Sequence, residues 1–116
     1  MDPRVTDSRI RLVRNDTGPQ IQLTLLDDAT GDPINLAGAT AALHFRPAGG
    51  PGALFSRPLV IPGTTAAAGI ALVVWEEGDL DQPEGVYEGE IEVLLQNGVR
   101  QTVFEPLQFR LREDYA

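Results

Sequence analysis

The stretch Pro83–Pro106, PEGVYEGEIEVLLQNGVRQTVFEP, alternates apolar and polar residues around a central Asn-Gly pair. Apolar side chains at every second position place one face of a strand against a core. Asn-Gly is the favoured two-residue loop of a type I′ hairpin. The stretch therefore predicts a β-hairpin whose register is set by Asn97 and Gly98, with Val93 opposite Thr102.

The alternation changes phase near the end of this stretch. In the predicted register Phe104 faces inward, and Leu107, three residues later, must also face inward. An extra residue absorbed at Glu105 and Pro106 reconciles the two, since proline cannot donate a hydrogen bond to a strand ladder. The sequence therefore predicts a β-bulge at Pro106.

Three carboxylates, Glu88, Glu90 and Glu92, occupy the other face of the same strand. Side chains on one strand face lie about 7 Å apart, so three of them on a straight strand converge poorly on one ion. A pair of catalytic carboxylates also needs a cleft, which the outer face of a sheet does not offer. A solvated face is the favoured interpretation, with a charged contact surface as the alternative and a metal or catalytic site as the third.

The rest of the chain has the same period of two, and Gly, Pro and Asp residues mark turns about every ten residues. Tyr87, at the start of a late strand, fits the tyrosine corner of immunoglobulin-like domains. The sequence therefore predicts an all-β fold, an antiparallel immunoglobulin-like β-sandwich of about seven to eight strands. The predicted domain covers residues 10–112, between a flexible N-terminal arm at 1–9 and a C-terminal tail at 113–116.

The chain has 116 residues and a formal net charge of −8, and its nine basic residues are all arginine. A strongly acidic surface repels a phosphate backbone, so nucleic acid is not an expected partner. No apolar run is long enough to cross a bilayer, and the first ten residues lack the apolar segment of a signal peptide. The sequence therefore predicts neither a membrane partner nor ordinary secretory export. Without cysteine, the chain has no disulfide framework.

Candidate chemistry elsewhere is sparse. His44 is the only histidine, and its phase between Leu43 and Phe45 points it to the outer face. Ser56 lies in an irregular strand and no G-x-S-x-G motif is present, so a catalytic triad is not expected. The aspartates in 27–33 lack calcium-loop spacing and are interpreted as turn residues; the acidic loop 76–81 is slightly more credible as a weak ion site. We expect no catalytic residue, no cofactor and no metal.

The order of several short motifs resembles a known family. The turn NDTGP at 15–19, the stretch PINLAGAT at 33–40 and the strand LHFRP at 43–47 come first. Trp75, a Gly-Asp pair at 78–79, GVYEGEIEV at 85–93 and the Asn-Gly turn follow. In this order they resemble the N-terminal domain of phage baseplate upper proteins and related small phage tail proteins, over about residues 10–112.

The resemblance implies an immunoglobulin-like module in a bacteriophage virion, assembled in the host cytoplasm. Expected partners are other virion structural proteins, contacted by many symmetric copies of the chain. Capsid-surface decoration and a host-surface carbohydrate- or receptor-binding module are the alternatives. Arginines make both ends of the chain basic, so we expect these ends to contact acidic neighbours. The expected contact residues are Arg9, Arg11, Arg14, Arg110, Arg112 and Tyr115.

Overall fold

A computed structural model describes residues 3–5, 9–17, 20–50, 52–103 and 105–113. Nine strands and one short 3₁₀ turn account for its regular structure. The strands are β1 (Pro3–Val5), β2 (Arg9–Val13), β3 (Ile21–Asp27), β4 (Thr40–Pro47), β5 (Phe55–Pro58), β6 (Ile70–Val73), β7 (Gly85–Leu94), β8 (Arg100–Thr102) and β9 (Leu107–Arg112). The 3₁₀ turn spans Ala66–Ala68.

The strands form two sheets that pack as an immunoglobulin-like β-sandwich, which confirms the predicted fold class, with nine strands where about seven to eight were expected. The small sheet has the order β1-β3-β6, and the large sheet has the order β2-β9-β7-β4-β5, with β8 also paired to β7. One pair departs from the antiparallel prediction, because β2 runs parallel to β9. The parallel pair brings the beginning and the end of the domain side by side.

An aromatic cluster fills the core between the sheets. Phe45 is fully buried and stacks on Phe55 and Tyr87, with ring centroids 5.0 and 5.1 Å apart. Trp75 packs edge-on against Phe45 and Phe109 at 5.7 and 5.8 Å. Such contacts add about 0.5–1.5 kcal/mol each beyond the burial of apolar area. Trp75, which is 3% exposed, therefore belongs to the core.

The hairpin forms where the sequence predicts it, but its turn is of another type. Gly98 donates to the carbonyl of Leu95, and Leu95 donates to the carbonyl of Val99, so the loop has three residues. Among the described residues of this turn only Gly98 has positive φ, at 86°. This is a type I turn followed by a left-handed glycine, not the type I′ turn expected of Asn97 and Gly98. The register is therefore one residue off the prediction, with Val93 opposite Gln101.

Pairing along β7 is interrupted at the predicted place. Val103 still donates to the carbonyl of Ile91, whereas Gly89 already pairs with Leu107. One residue of β7 therefore faces three on the other strand, so two extra residues are absorbed before Leu107 instead of the one predicted at Pro106. Phe104, predicted to face inward, lies outside the described residues.

The tyrosine corner is present at the start of β7. The Tyr87 hydroxyl donates to the carbonyl of Pro83 at 2.6 Å, four residues upstream. Two residues later Gly89 lets β7 pass close to the core, since an added Cβ would lie 2.5 Å from Leu43 Cδ1 and 2.7 Å from Phe109 Cε2. Tyr87 and Gly89 together fix how β7 enters the sandwich.

The N-terminal segment differs from the flexible arm expected over residues 1–9. Pro3–Val5 forms a strand on the edge of the small sheet, antiparallel to Leu25–Asp27. Arg4 also forms an ion pair with Asp28 at 3.3 Å. Arg9 already belongs to the large sheet, so the chain changes sheets between residues 5 and 9.

An ion pair between half-buried Arg57 and buried Asp79 ties β5 to the connection between β6 and β7. Asp79 is 5% exposed and accepts hydrogen bonds from Arg57 Nε at 2.8 Å and from the backbone N–H of Glu76 at 2.9 Å. Burial by itself raises the pKa of the Asp79 carboxyl, but these hydrogen bonds and the Arg57 charge outweigh it and lower that pKa below its ordinary value. The carboxylate therefore stabilises the fold in its ionised form.

Gly89→Ala is expected to lower the free energy of unfolding by about 1–3 kcal/mol, because its methyl group overpacks the core between Leu43 and Phe109. Urea denaturation measures the change. Gly63→Ala is the matched control, since a Cβ there meets no atom within 4 Å. Equal losses in the two variants would contradict the close approach at Gly89.

Asp79→Asn is expected to lower the free energy of unfolding by about 1–3 kcal/mol at pH 7, because Arg57 loses its buried charged partner and keeps only the exposed Glu76, 3.4 Å away. A carboxyl with a lowered folded-state pKa stabilises fully above its unfolded pKa of about 3.9, and this contribution disappears as the pH falls through the folded value. The stability gap between wild type and variant therefore narrows below about pH 4 in urea denaturation. Asp16→Asn, at an exposed position, is the control. A gap that stays constant from pH 7 to pH 3 would contradict this role.

Candidate functional site

Arginines from the two ends of the domain meet on the outer face of the large sheet. Residues alternate between exposed and buried along β9, and those on β2 follow the same phase. The parallel register places Arg9 beside Gln108 and Arg11 beside Arg110. We call Arg9, Arg11 and Arg110 the arginine face.

All three arginines of this face are exposed. Within the described part of the chain none of them forms an ion pair, whereas Arg46 and Arg100 pair with Glu88 and Glu92 at 3.3 and 3.7 Å. Like charges directly opposite each other on neighbouring strands are destabilising, so the pairing of Arg11 with Arg110 has a cost. In a chain of net charge −8, this sheet edge thus carries a positive patch that no described carboxylate compensates.

A shallow groove of about 680 Å³ runs along the arginine face. Gln108 and Val86 also line it, and Val86 is 44% exposed. Val86 lies on β7 directly beside Arg110, so the row across the sheet is arginine, arginine, valine. The groove therefore offers cationic groups with an apolar floor, which suits a protein segment carrying carboxylates.

The other predicted contact residues serve the fold or lie elsewhere. Arg14 donates to both carboxylate oxygens of Glu113 at 3.2 Å and to Asp81 at 3.0 Å, which fastens the two ends of the domain together. Arg112 donates to the backbone carbonyl of Glu113 at 2.8 Å. Tyr115 lies outside the described residues.

The acidic row on β7 lies on the outer face, as predicted, and its end members have partners. Glu88 accepts hydrogen bonds from the backbone N–H of Gly49 at 2.9 Å and from Arg46 at 3.3 Å. The Gly49 hydrogen bond, followed by that of Arg46, lowers the pKa of the Glu88 carboxyl. Glu92 lies 3.7 Å from Arg100. Two of these carboxylates thus brace the sheet and the loop that follows β4.

His44 and Ser56 meet on the same outer face, a contact that the sequence did not indicate. His44 Nδ1 lies 2.6 Å from Ser56 Oγ across the β4–β5 pair, and His44 Nε2 lies 4.0 Å from a Glu92 oxygen. A catalytic triad also needs a third group that orients the histidine through a hydrogen bond, and such N–H···O bonds are at most about 3.2 Å long. The Glu92 contact is longer than that, so His44 and Ser56 are interpreted as a cross-strand hydrogen bond.

The aspartates after β3 build a turn. Asp27 Oδ1 accepts from the backbone N–H of Ala29 at 2.9 Å, and Gly31 closes the turn with φ of 76°. This confirms the predicted turn chemistry. In the ranges that the structure describes, no three histidine, aspartate or glutamate side chains come close enough together to hold a metal ion.

Comparison with known proteins adds no assignment. No protein-family model matches the chain, and no curated protein is significantly similar to it. Among the described residues, no helix has the length and apolar character needed to cross a bilayer. The arginine face is therefore interpreted from its own geometry.

Sequence reasoning selected the members of the arginine face but not their arrangement. The spacing of Arg9 and Arg11 places both on one side of a strand, and Gln108 and Arg110 share a side for the same reason. Nothing in the local pattern indicates that β2 runs parallel beside β9. The sequence analysis did not select Val86 as a contact residue. The available signal was its position, since Val86 is an apolar residue on the polar, outward face of β7.

Arg110→Glu is expected to raise stability by about 0.5 kcal/mol at low salt, because it replaces the repulsion from Arg11 with attraction. Urea denaturation at low and high salt measures this, and the gain shrinks as salt screens the pair. Arg100→Glu makes the same change in net charge but loses the Glu92 contact, so it is expected to be mildly destabilising. A loss of stability in Arg110→Glu at low salt would contradict repulsion at this face.

Proposed function

We propose that this chain is a non-enzymatic structural protein of a bacteriophage virion, a small attachment module of the tail, baseplate or neck. The observation that carries attachment is the arginine face, three exposed arginines without ion pairs among the described residues of an acidic chain. Uncompensated charge on a protein surface steers and orients a partner of opposite charge. The expected partner surface is therefore acidic.

The virion setting of this proposal comes from the sequence resemblance. The order of the motifs from the NDTGP turn at 15–19 to the Asn-Gly turn at 97–98 resembles the N-terminal domain of phage baseplate upper proteins. A β-sandwich with a filled aromatic core supports such a role, since it holds a binding face on strands instead of loops. Many copies docked in a symmetric array on other virion proteins, assembled in the host cytoplasm, follow from this proposal.

Capsid-surface decoration remains the nearest alternative, because it uses the same attachment and differs in copy number. A carbohydrate-binding role is less favoured by the described aromatic residues. Trp75 and Tyr87 are 3% and 5% exposed, and Phe55 stacks on Phe45, so these rings are occupied by the core. Stacking on a sugar needs an exposed ring face.

We expect purified particles of the virus that encodes this chain to contain it as a stoichiometric component. Quantitative mass spectrometry against the major capsid protein measures its copy number. A few copies per particle indicate the tail tip, baseplate or neck, whereas a number similar to that of the capsid protein indicates decoration or a tail-tube role. Absence from gradient-purified, nuclease-treated particles would overturn the proposal.

A further inference from the structure

In the part of the chain that the structure describes, the strand that carries two of the arginines is also an open edge of the large sheet. β2 pairs with β9 on one side and ends the strand order on the other. The backbone N–H of Arg14 donates to the carbonyl of Arg112, which shows which residues of β2 point their backbone groups toward β9. Alternate residues of a strand point their N–H and C=O groups to opposite sides. The backbone groups of Arg9 and Arg11 therefore point away from β9, toward the open edge.

The other strand edges in the described part of the chain are less suited to pairing. β1 and β8 have three residues each, and β5 ends in Pro58, which has no N–H group. β6 is partly covered, since Val60 exchanges two hydrogen bonds with Leu72 at 2.9 and 2.8 Å. β2 has five residues and no proline. It is the longest of these edges.

Charge decides what can pair with this edge. If two copies of the chain joined through β2, the pairs of Arg9 and Arg11 side chains would lie side by side across the new ladder. Like charges on neighbouring strands are destabilising, and charged side chains on edge strands are a common device against such self-association. The same arginines favour a strand that carries carboxylates.

We propose that the β2 edge binds an extended acidic segment of a partner protein by strand addition. The main chain of the segment bonds the backbone groups of Arg9 and Arg11. Carboxylates at alternate positions of the segment face the two arginine side chains, and Arg110 supplies positive charge one strand further into the sheet. Main-chain pairing gives affinity and the arginines give selectivity. This inference rests on the proposed attachment function and names the chemistry of its partner.

A synthetic peptide of about nine residues alternating Thr and Glu is a direct probe, with Gln in place of Glu as its matched control. Fluorescence anisotropy at low salt is expected to show binding of the Glu peptide at least about tenfold tighter than that of the Gln peptide, with affinity falling as salt rises. Hydrogen exchange of the Arg9 and Arg11 amides is expected to slow when the Glu peptide is bound. No binding at about 1 mM Glu peptide, or equal binding of both peptides, would overturn the proposal.

Substitutions at Arg11 separate charge from backbone pairing. Arg11→Thr removes the charge and keeps the N–H group, and a loss of about three- to tenfold in affinity is expected. Arg11→Pro also removes the N–H group, which points away from β9, and is expected to bind more weakly than Arg11→Thr. Arg100→Thr, on the hairpin, is the control and is expected to bind like wild type.

Equal affinities of the Thr and Pro variants, with unchanged amide exchange at Arg9 and Arg11, would overturn strand addition. They would indicate that the peptide docks on the arginine face instead. If Arg11→Pro fails to fold, as judged by circular dichroism, the amide exchange of the wild-type chain decides. These outcomes are independent of whether the chain is found in virus particles. A failure of peptide binding at the β2 edge can therefore be distinguished from a failure of the proposed virion function.

Discussion

The parallel pairing of β2 with β9 is the contact on which the candidate function depends. It brings Arg9 and Arg11, near the start of the domain, beside Arg110 near its end. The pairing also buries Leu12 and Leu111 on the inner face, at 6% and 0% exposure. Burying a leucine side chain stabilises by about 1.5–3 kcal/mol, whereas an exposed like-charge pair costs a few tenths of a kcal/mol to about 1 kcal/mol. The inner face therefore holds the arginines together in spite of their repulsion.

The remainder of the sandwich keeps that face in place. Phe45, on β4, contacts four other aromatic rings, which come from β5, β7, β9 and the segment after β6. One packed cluster therefore joins β4 to the strands on either side of it in the large sheet. Arg14 adds a link between the ends of the domain through Glu113 and Asp81. Groups presented on strands with such support lose little conformational freedom on binding. The scaffold and the contact surface are thus parts of one packed unit.

The outer face of the large sheet is electrically uneven. On β7 the carboxylates of Glu88 and Glu92 lie against Arg46 and Arg100, which offsets part of their charge. At the β2 edge the arginines have no such partners within the described residues. The acidic row on β7, which in the sequence raises the possibility of a catalytic or metal site, therefore forms cross-strand contacts that stabilise the sheet. At the β2 edge, by contrast, the charge without a partner among the described residues is positive.

The sequence by itself determined the fold class, the position of the hairpin, the tyrosine corner at Tyr87 and the place where β7 pairing breaks. These follow from side-chain period, turn residues and proline, which act over a few neighbouring residues. It did not determine the loop type at Asn97 and Gly98, because type I and type I′ turns both accept this pair and the flanking ladder selects between them. Only the tertiary structure decided the strand at Pro3–Val5, the parallel neighbour of β2 and the contact of His44 with Ser56. Each of these joins residues that are 12 or more positions apart in the sequence. Their pairing depends on the burial of a shared core, which no local sequence pattern shows.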